Sequence, residues 1–140
     1  MRVGRNAYFV ILFVGLACTF GSAARAQVRS TPGVNTYSLK SGESVDLFDI
    51  FYVIACRSLL KSTPEVEIVE GPPQVSASVK EGMVLPRGGN CSQKVPGGTL
   101  VLTAKEIEDP SFSRLTVRIL YKTRDGDRRL SHVFNLQLVP

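Results

Sequence analysis

From residue 34 onward, apolar and polar positions alternate in short runs divided by turn formers, the two-residue period of strands with one face buried. Residues 34–39 form the first run, stopped by Ser41-Gly42. Residues 45–56 form the longest, with Phe48, Ile50, Phe51, Tyr52, Val53 and Ile54 nearly continuous. That suits a strand buried on both faces, or two strands joined by a bend. Residues 57–62 are read as one turn of helix, which Pro64 discourages from continuing. Residues 65–70 alternate glutamate with Val66 and Ile68, and Val75, Ala77 and Val79 repeat the pattern. Residues 82–98 contain five glycines, two prolines and Cys91, which predicts a long loop. Leu100, Leu102 and Ala104 mark another strand, and residues 106–110 an acidic connection. No stretch keeps a helical period, and no internal repeat is present.

The last third allows a register to be written. Asp125-Gly126 predicts a type I′ hairpin turn, in which both central residues take positive φ. Arg124 and Asp127 then flank the turn, so that Tyr121 faces Leu130, Ile119 faces His132, Val117 faces Phe134 and Leu115 faces Leu136. All eight fall on one face, and the other face sets Lys122 opposite Arg129 and Arg118 opposite Val133. Together these elements predict an all-β fold, a two-layer antiparallel sandwich of immunoglobulin-like type with about seven strands and one disulfide. Three features depart from a true immunoglobulin domain: no Trp, Cys91 in a loop, and Gly89 where a corner tyrosine would stand.

The first 26 residues lack this alternation. Arg2 and Arg5 precede a 14-residue run from Ala7 to Phe20 that only Thr19 interrupts, and Ala24-Arg25-Ala26 follows. A basic start, a short apolar stretch and an A-x-A site are the parts of a secretory signal. The run falls short of the ~20 residues that span a bilayer, so no transmembrane segment is expected after cleavage. A lipoprotein signal at Cys18 is disfavoured by Gly15. The expected organisation is a cleaved signal peptide at 1–26, a flexible leader at 27–33 and a single β-sandwich domain at 34–140, periplasmic or secreted.

Processing changes the charge. The full chain has 17 basic and 12 acidic residues, net +5; losing Arg2, Arg5 and Arg25 lowers the basic count to 14 and the net charge to +2. Two cysteines then remain, Cys56 and Cys91, and an even pair in an oxidising compartment predicts one disulfide, with two buried thiols as the other reading.

Catalytic groups are scarce. The one histidine, His132, lies on the predicted apolar face, Ser131 points to the other, and the disulfide occupies both thiols. No catalytic residue is assigned and no enzyme activity expected. Carboxylates alone leave one alternative, a small hydrolase using Asp109 with Glu106 or Glu108. Asp125 and Asp127 belong to a turn and lack the remaining ligands of a calcium loop, and one histidine with two paired cysteines does not make a zinc site. Neither Gly88-Gly89 nor Gly97-Gly98 opens a helix to cradle phosphate, so no cofactor is expected.

Two regions could contact a partner. Arg118, Lys122, Arg124, Arg128 and Arg129 make the hairpin basic and could meet an anionic envelope surface, or could be a solvated face that guards a sheet edge. Met83-Val84-Leu85-Pro86-Arg87, apolar and stiffened by proline shortly before Cys91, could be the contact loop of an exported protease or lysozyme inhibitor. Asn90-Cys91-Ser92 matches a glycosylation sequon, which matters only in a eukaryotic host. The leading expectation is a binding or structural module of the cell envelope whose partner is an envelope or extracellular protein, or an anionic envelope surface, and not nucleic acid.

Overall fold

A computed structural model describes Ser30–Thr31 and residues 34–140; the expected signal peptide lies outside the described residues. Every regular element among them is a strand: β1 (Ser30–Thr31), β2 (Val34–Lys40), β3 (Ser44–Ile50), β4 (Val53–Ile54), β5 (Arg57–Ser58), β6 (Glu65–Glu70), β7 (Val75–Val84), β8 (Val95–Ala104), β9 (Ser111–Thr123) and β10 (Gly126–Val139). That is more than the expected seven, because β1 falls in the stretch read as a leader and the long apolar run splits into β3 and β4. The predicted helical turn at 57–62 is instead β5, which pairs back onto β4.

Two main sheets form. One has the order β1-β2-β10-β9-β6, the other β3-β8-β7. Pairing is antiparallel throughout except between β2 and β10, which run parallel from Thr36 beside Asn135 to Lys40 beside Val139. This corrects the all-antiparallel expectation. Local patterning cannot reveal it, since a parallel neighbour presents the same alternation of faces.

The inward rows meet in one core. Leu39, Leu115, Val117, Ile119, Tyr121, Phe134, Leu136 and Leu138 from the larger sheet pack with Ile50, Val75, Leu100, Leu102 and Ala104 from the smaller. Burying each such leucine, isoleucine or valine contributes roughly 1.5–3 kcal/mol, so this contact accounts for the bulk of the apolar stabilisation.

Two glycines expected in a loop lie within β8. A Cβ on Gly97 would strike the Ile50 carbonyl oxygen and stand 2.8 Å from Val84 Cγ2, and one on Gly98 would meet Val79 Cγ1 at 2.5 Å. The Gly97-Gly98 pair therefore admits close neighbours, and the 82–98 loop contracts to residues 85–94.

The β9–β10 hairpin keeps its predicted faces but not its register. Gly126 pairs with Thr123, Leu130 with Ile119, His132 with Val117 and Phe134 with Leu115, two residues off the predicted partners. Asp125 does not take positive φ; only Gly126 does, at 108°. The turn therefore centres on Arg124-Asp125, with Thr123 Oγ1 donating to the Gly126 carbonyl at 2.6 Å and accepting from the Asp125 amide at 3.3 Å. An even shift leaves every side chain on its face. It also places Asp127, rather than Arg129, opposite Lys122, replacing a like-charge pair with an attractive one.

Candidate functional site

The basic hairpin is flanked by acids contributed from β6. On the outer face, Glu67 and Arg118 pair across strands and form an ion pair at 2.8 Å. Lys122 forms another with Glu65. Glu65, through this bond and its charge, together with the charge of Asp127, pushes the Lys122 ammonium above its ordinary value. Arg124, Arg128 and Arg129 make no ion pair among the described residues. The neighbouring strand β6 thus offsets part of the hairpin's charge, and two of the five cations expected to meet an anionic surface, Arg118 and Lys122, already have partners.

The other predicted region is divided. Met83 and Val84 belong to β7, while Leu85, Pro86 and Arg87 open the loop. Val84 and Pro86 are buried; Met83 and Leu85 stand out, 56% and 45% exposed. The segment is therefore not one free loop but an anchored strand end whose alternate residues point outward.

Three connections are tied together at this end of the molecule. Cys56, between β4 and β5, is bonded to Cys91 in the 85–94 loop, as the pairing of the two cysteines predicted. Ser58 Oγ, in β5, donates to the Pro96 carbonyl at the start of β8 at 3.3 Å, a further link beside the disulfide-bonded turn and loop. The Lys61 amide donates to the Lys122 carbonyl at 2.8 Å, and the Arg124 amide to the Leu59 carbonyl at 3.1 Å, joining residues 59–61 to the β9–β10 hairpin. Tyr52 packs on Tyr121 with ring centroids 6.0 Å apart beneath these links. A groove of about 400 Å³ runs between Leu60, Lys61 and Thr63 on one side and Met83, Pro96 and Gly97 on the other.

The backbone around the disulfide is unusual. Ala55 and Cys56 have φ of 49° and 59°, and Asn90 has 52°. Ile54 pairs with Arg57, so Ala55-Cys56 forms a two-residue hairpin loop with positive φ at both positions, the pattern of a type I′ turn. Such turns favour Asn-Gly; a side chain bearing Cβ costs roughly 1–2 kcal/mol per residue in this region. Nothing in Ala-Cys signals it, so the sequence pattern of residues 53–58 points to a strand running into a helical turn where the structure has a tight hairpin. Ile54, at the start of the turn, is 59% exposed.

His132 sits on the inner row of β10 but only half-buried, its ring 5.1 Å from Phe48 and stacked near Phe134. Burial holds its imidazole below the usual histidine value, and Nε2 is buried without a hydrogen-bond partner. Glu106, Glu108 and Asp109 are exposed on the 105–110 connection, at the start of β9 and therefore at the end of the sheet away from the disulfide. That end is held by backbone bonds from Gly42 to the Lys105 carbonyl and from Lys105 to the Gln74 carbonyl. Among the described residues no group of three or more His, Cys, Asp or Glu is placed to hold a metal ion. No helix there is long and apolar enough to cross a membrane.

Comparison with family models, with curated proteins and with solved structures finds no match to this chain.

Proposed function

We propose that the chain is an exported binding or structural module of the cell envelope, an immunoglobulin-like sandwich without catalytic chemistry of its own, which meets its partner at the disulfide-tied end. The strand order supports the fold reading. With β2 set aside, sheets β10-β9-β6 and β3-β8-β7 follow the three-strand order of each immunoglobulin layer, and β2 lies beside β10 instead of beside β3. The disulfide fits an oxidising compartment.

The observation that carries the functional reading is the set of outward apolar side chains, Ile54, Met83 and Leu85, on segments held by Cys56–Cys91 and by bonds to the neighbouring hairpin. Exposed apolar groups on a rigid frame bind with little loss of conformational entropy. A photo-activated cross-linker at Leu85 or Met83, in the native host, should give a discrete adduct that excess unlabelled domain suppresses; the same group at Ser76, on the opposite half of β7, should give none. Equal labelling at all three positions, or no competition, would refute the loop-end reading.

A second reading has its own observation. Leu85 stands exposed between two buried residues, Val84 and Pro86, at the start of the loop that carries disulfide-bonded Cys91, an arrangement suited to an inhibitor's contact residue. Inhibition of a protease or lysozyme by the oxidised domain, abolished by Leu85→Asp, would favour that reading over a structural role.

A further inference from the structure

The five-stranded sheet has two open edges of opposite charge. Strand β9 covers one side of β10 from Gly126 to Leu138, but β2 covers the other only from Asn135 to Val139. Among the described residues, the stretch from Gly126 to Phe134 therefore has no strand paired on that side. It carries Arg128 and Arg129, neither in an ion pair, against one acid, Asp127, which lies opposite Lys122, and two exposed apolar side chains, Leu130 and Val133. At the far edge, β6 bonds to β9 alone and carries Glu65, Glu67 and Glu70 with exposed Val69.

We propose that copies of this domain associate head to tail by strand addition, β6 of one copy pairing with the open stretch of β10 of the next. The β6 segment has six residues, about 20 Å at the rise of a strand, and the open stretch of β10 is longer. Unpaired backbone groups supply the ladder, as in other cases of strand addition. Edge charges normally oppose such pairing, and here they oppose the symmetric contacts, cation against cation or acid against acid. Between unlike edges the same charges attract, with Glu70 outside the ion pairs that hold Glu65 and Glu67. A contact between different edges is heterologous, so it builds chains or rings rather than a closed dimer. One strand pair is a small interface, which places association at the weak end of specific binding.

This inference is separate from the loop-end reading, because it rests on the backbone edges of β6 and β10 and not on the exposed side chains of Ile54, Met83 and Leu85. The test is sedimentation equilibrium of the exported, oxidised domain from roughly 10 μM to roughly 1 mM, the weak range of specific affinities. Its weight-average mass should rise with concentration at low salt and fall back in about 0.5 M salt, where screening shortens to a few ångströms. Amide exchange should slow in residues 65–70 and 127–134 of the concentrated sample and nowhere else on the sheets.

Two charge reversals, Arg128→Glu with Arg129→Glu and Glu67→Lys with Glu70→Lys, should each give a folded monomer. Mixing them one to one should restore association, since each then offers the other an unlike edge. A wild-type domain that stays monomeric, association that survives either reversal, or a mixture that remains monomeric overturns the proposal. So does protection of residues 127–134 that appears only when other envelope proteins are added, which would assign the edge to a different chain.

Discussion

Replacing Cys56 and Cys91 together by serine separates two contributions that meet at the loop end. The cysteines are 35 residues apart in sequence, and both are half-buried, so the substitution opens little cavity. The main effect is then on the unfolded chain: freeing a loop of about 36 residues restores conformational entropy worth roughly 4 kcal/mol. For a domain of this size that is a fall in Tm of roughly 15–25 °C. An opposing contribution exists, because Ala55, Cys56 and Asn90 could relax from left-handed φ once the bond is gone. We expect little relaxation. The Leu59 amide still donates to the Tyr52 carbonyl at 3.0 Å, closing the β4–β5 hairpin, and Arg124 still holds Leu59.

Urea unfolding of the oxidised and double-serine proteins measures the difference, and the urea dependence should steepen in the serine form as its unfolded state expands. Adding Ala55→Gly to both backgrounds completes a cycle. If the hairpin keeps its geometry, the gain from glycine is equal in the two backgrounds; if it relaxes, the gain vanishes without the bond. A loss below about 1 kcal/mol together with a vanished glycine gain would refute the view that the surrounding bonds hold the turn.

Three further outcomes are expected. Gly97→Ala should destabilise by about 3 kcal/mol or more, because the new methyl meets the Ile50 backbone, while Gly82→Ala, with open space around it, should stay within about 0.5 kcal/mol by the same urea measurement. Ala55→Gly in the oxidised protein should raise stability by roughly 0.5–1 kcal/mol, the relief of left-handed strain less the entropy of glycine; a loss of stability would contradict the assigned turn. Burial lowers the His132 value in the folded state, so the unfolded chain takes up the proton first and stability declines as pH falls below about 6.5. His132→Phe should remove that part of the acid sensitivity, and unfolding midpoints at pH 7.5 and 5.5 that shift equally in both proteins would exclude it.

What could be read from the chain was the set of faces. Leu115, Val117, Ile119 and Tyr121 are inward for the same reason that they stand two apart, and Leu100, Leu102 and Ala104 likewise. Register was not readable to the same degree. A shift of two residues preserves the alternation, so the hydrophobic pattern could not choose between pairing partners, and the turn signature of Asp125-Gly126 pointed one step along the chain from the turn that forms. The ion partners of Arg118 and Lys122 lie 51 and 57 residues away, beyond any local signal. Leu130 is expected on the apolar face and lies there, yet it is 51% exposed although its partner Ile119 is buried, because β2 pairs with β10 only from Asn135 onward and leaves Leu130 at an open strand edge.

The location of backbone strain bears on which surface is used. All three non-glycine residues with positive φ among the described residues adjoin or form the disulfide, although glycine or asparagine would cost less at Ala55 and Cys56. A disulfide needs its cysteine, which accounts for Cys56; it does not account for Ala55. The β4–β5 turn also projects Ile54 outward, at a cost that simple solubility would not require. The outer hairpin face, in contrast, sets Arg118 and Lys122 against Glu67 and Glu65 in ion pairs, with Asp127 opposite Lys122, contacts that any sheet surface can adopt, each worth about 0–1 kcal/mol. Strain, exposed apolar groups and a covalent link converge on the loop end, and that convergence favours it over the charged face as the surface for the proposed contact.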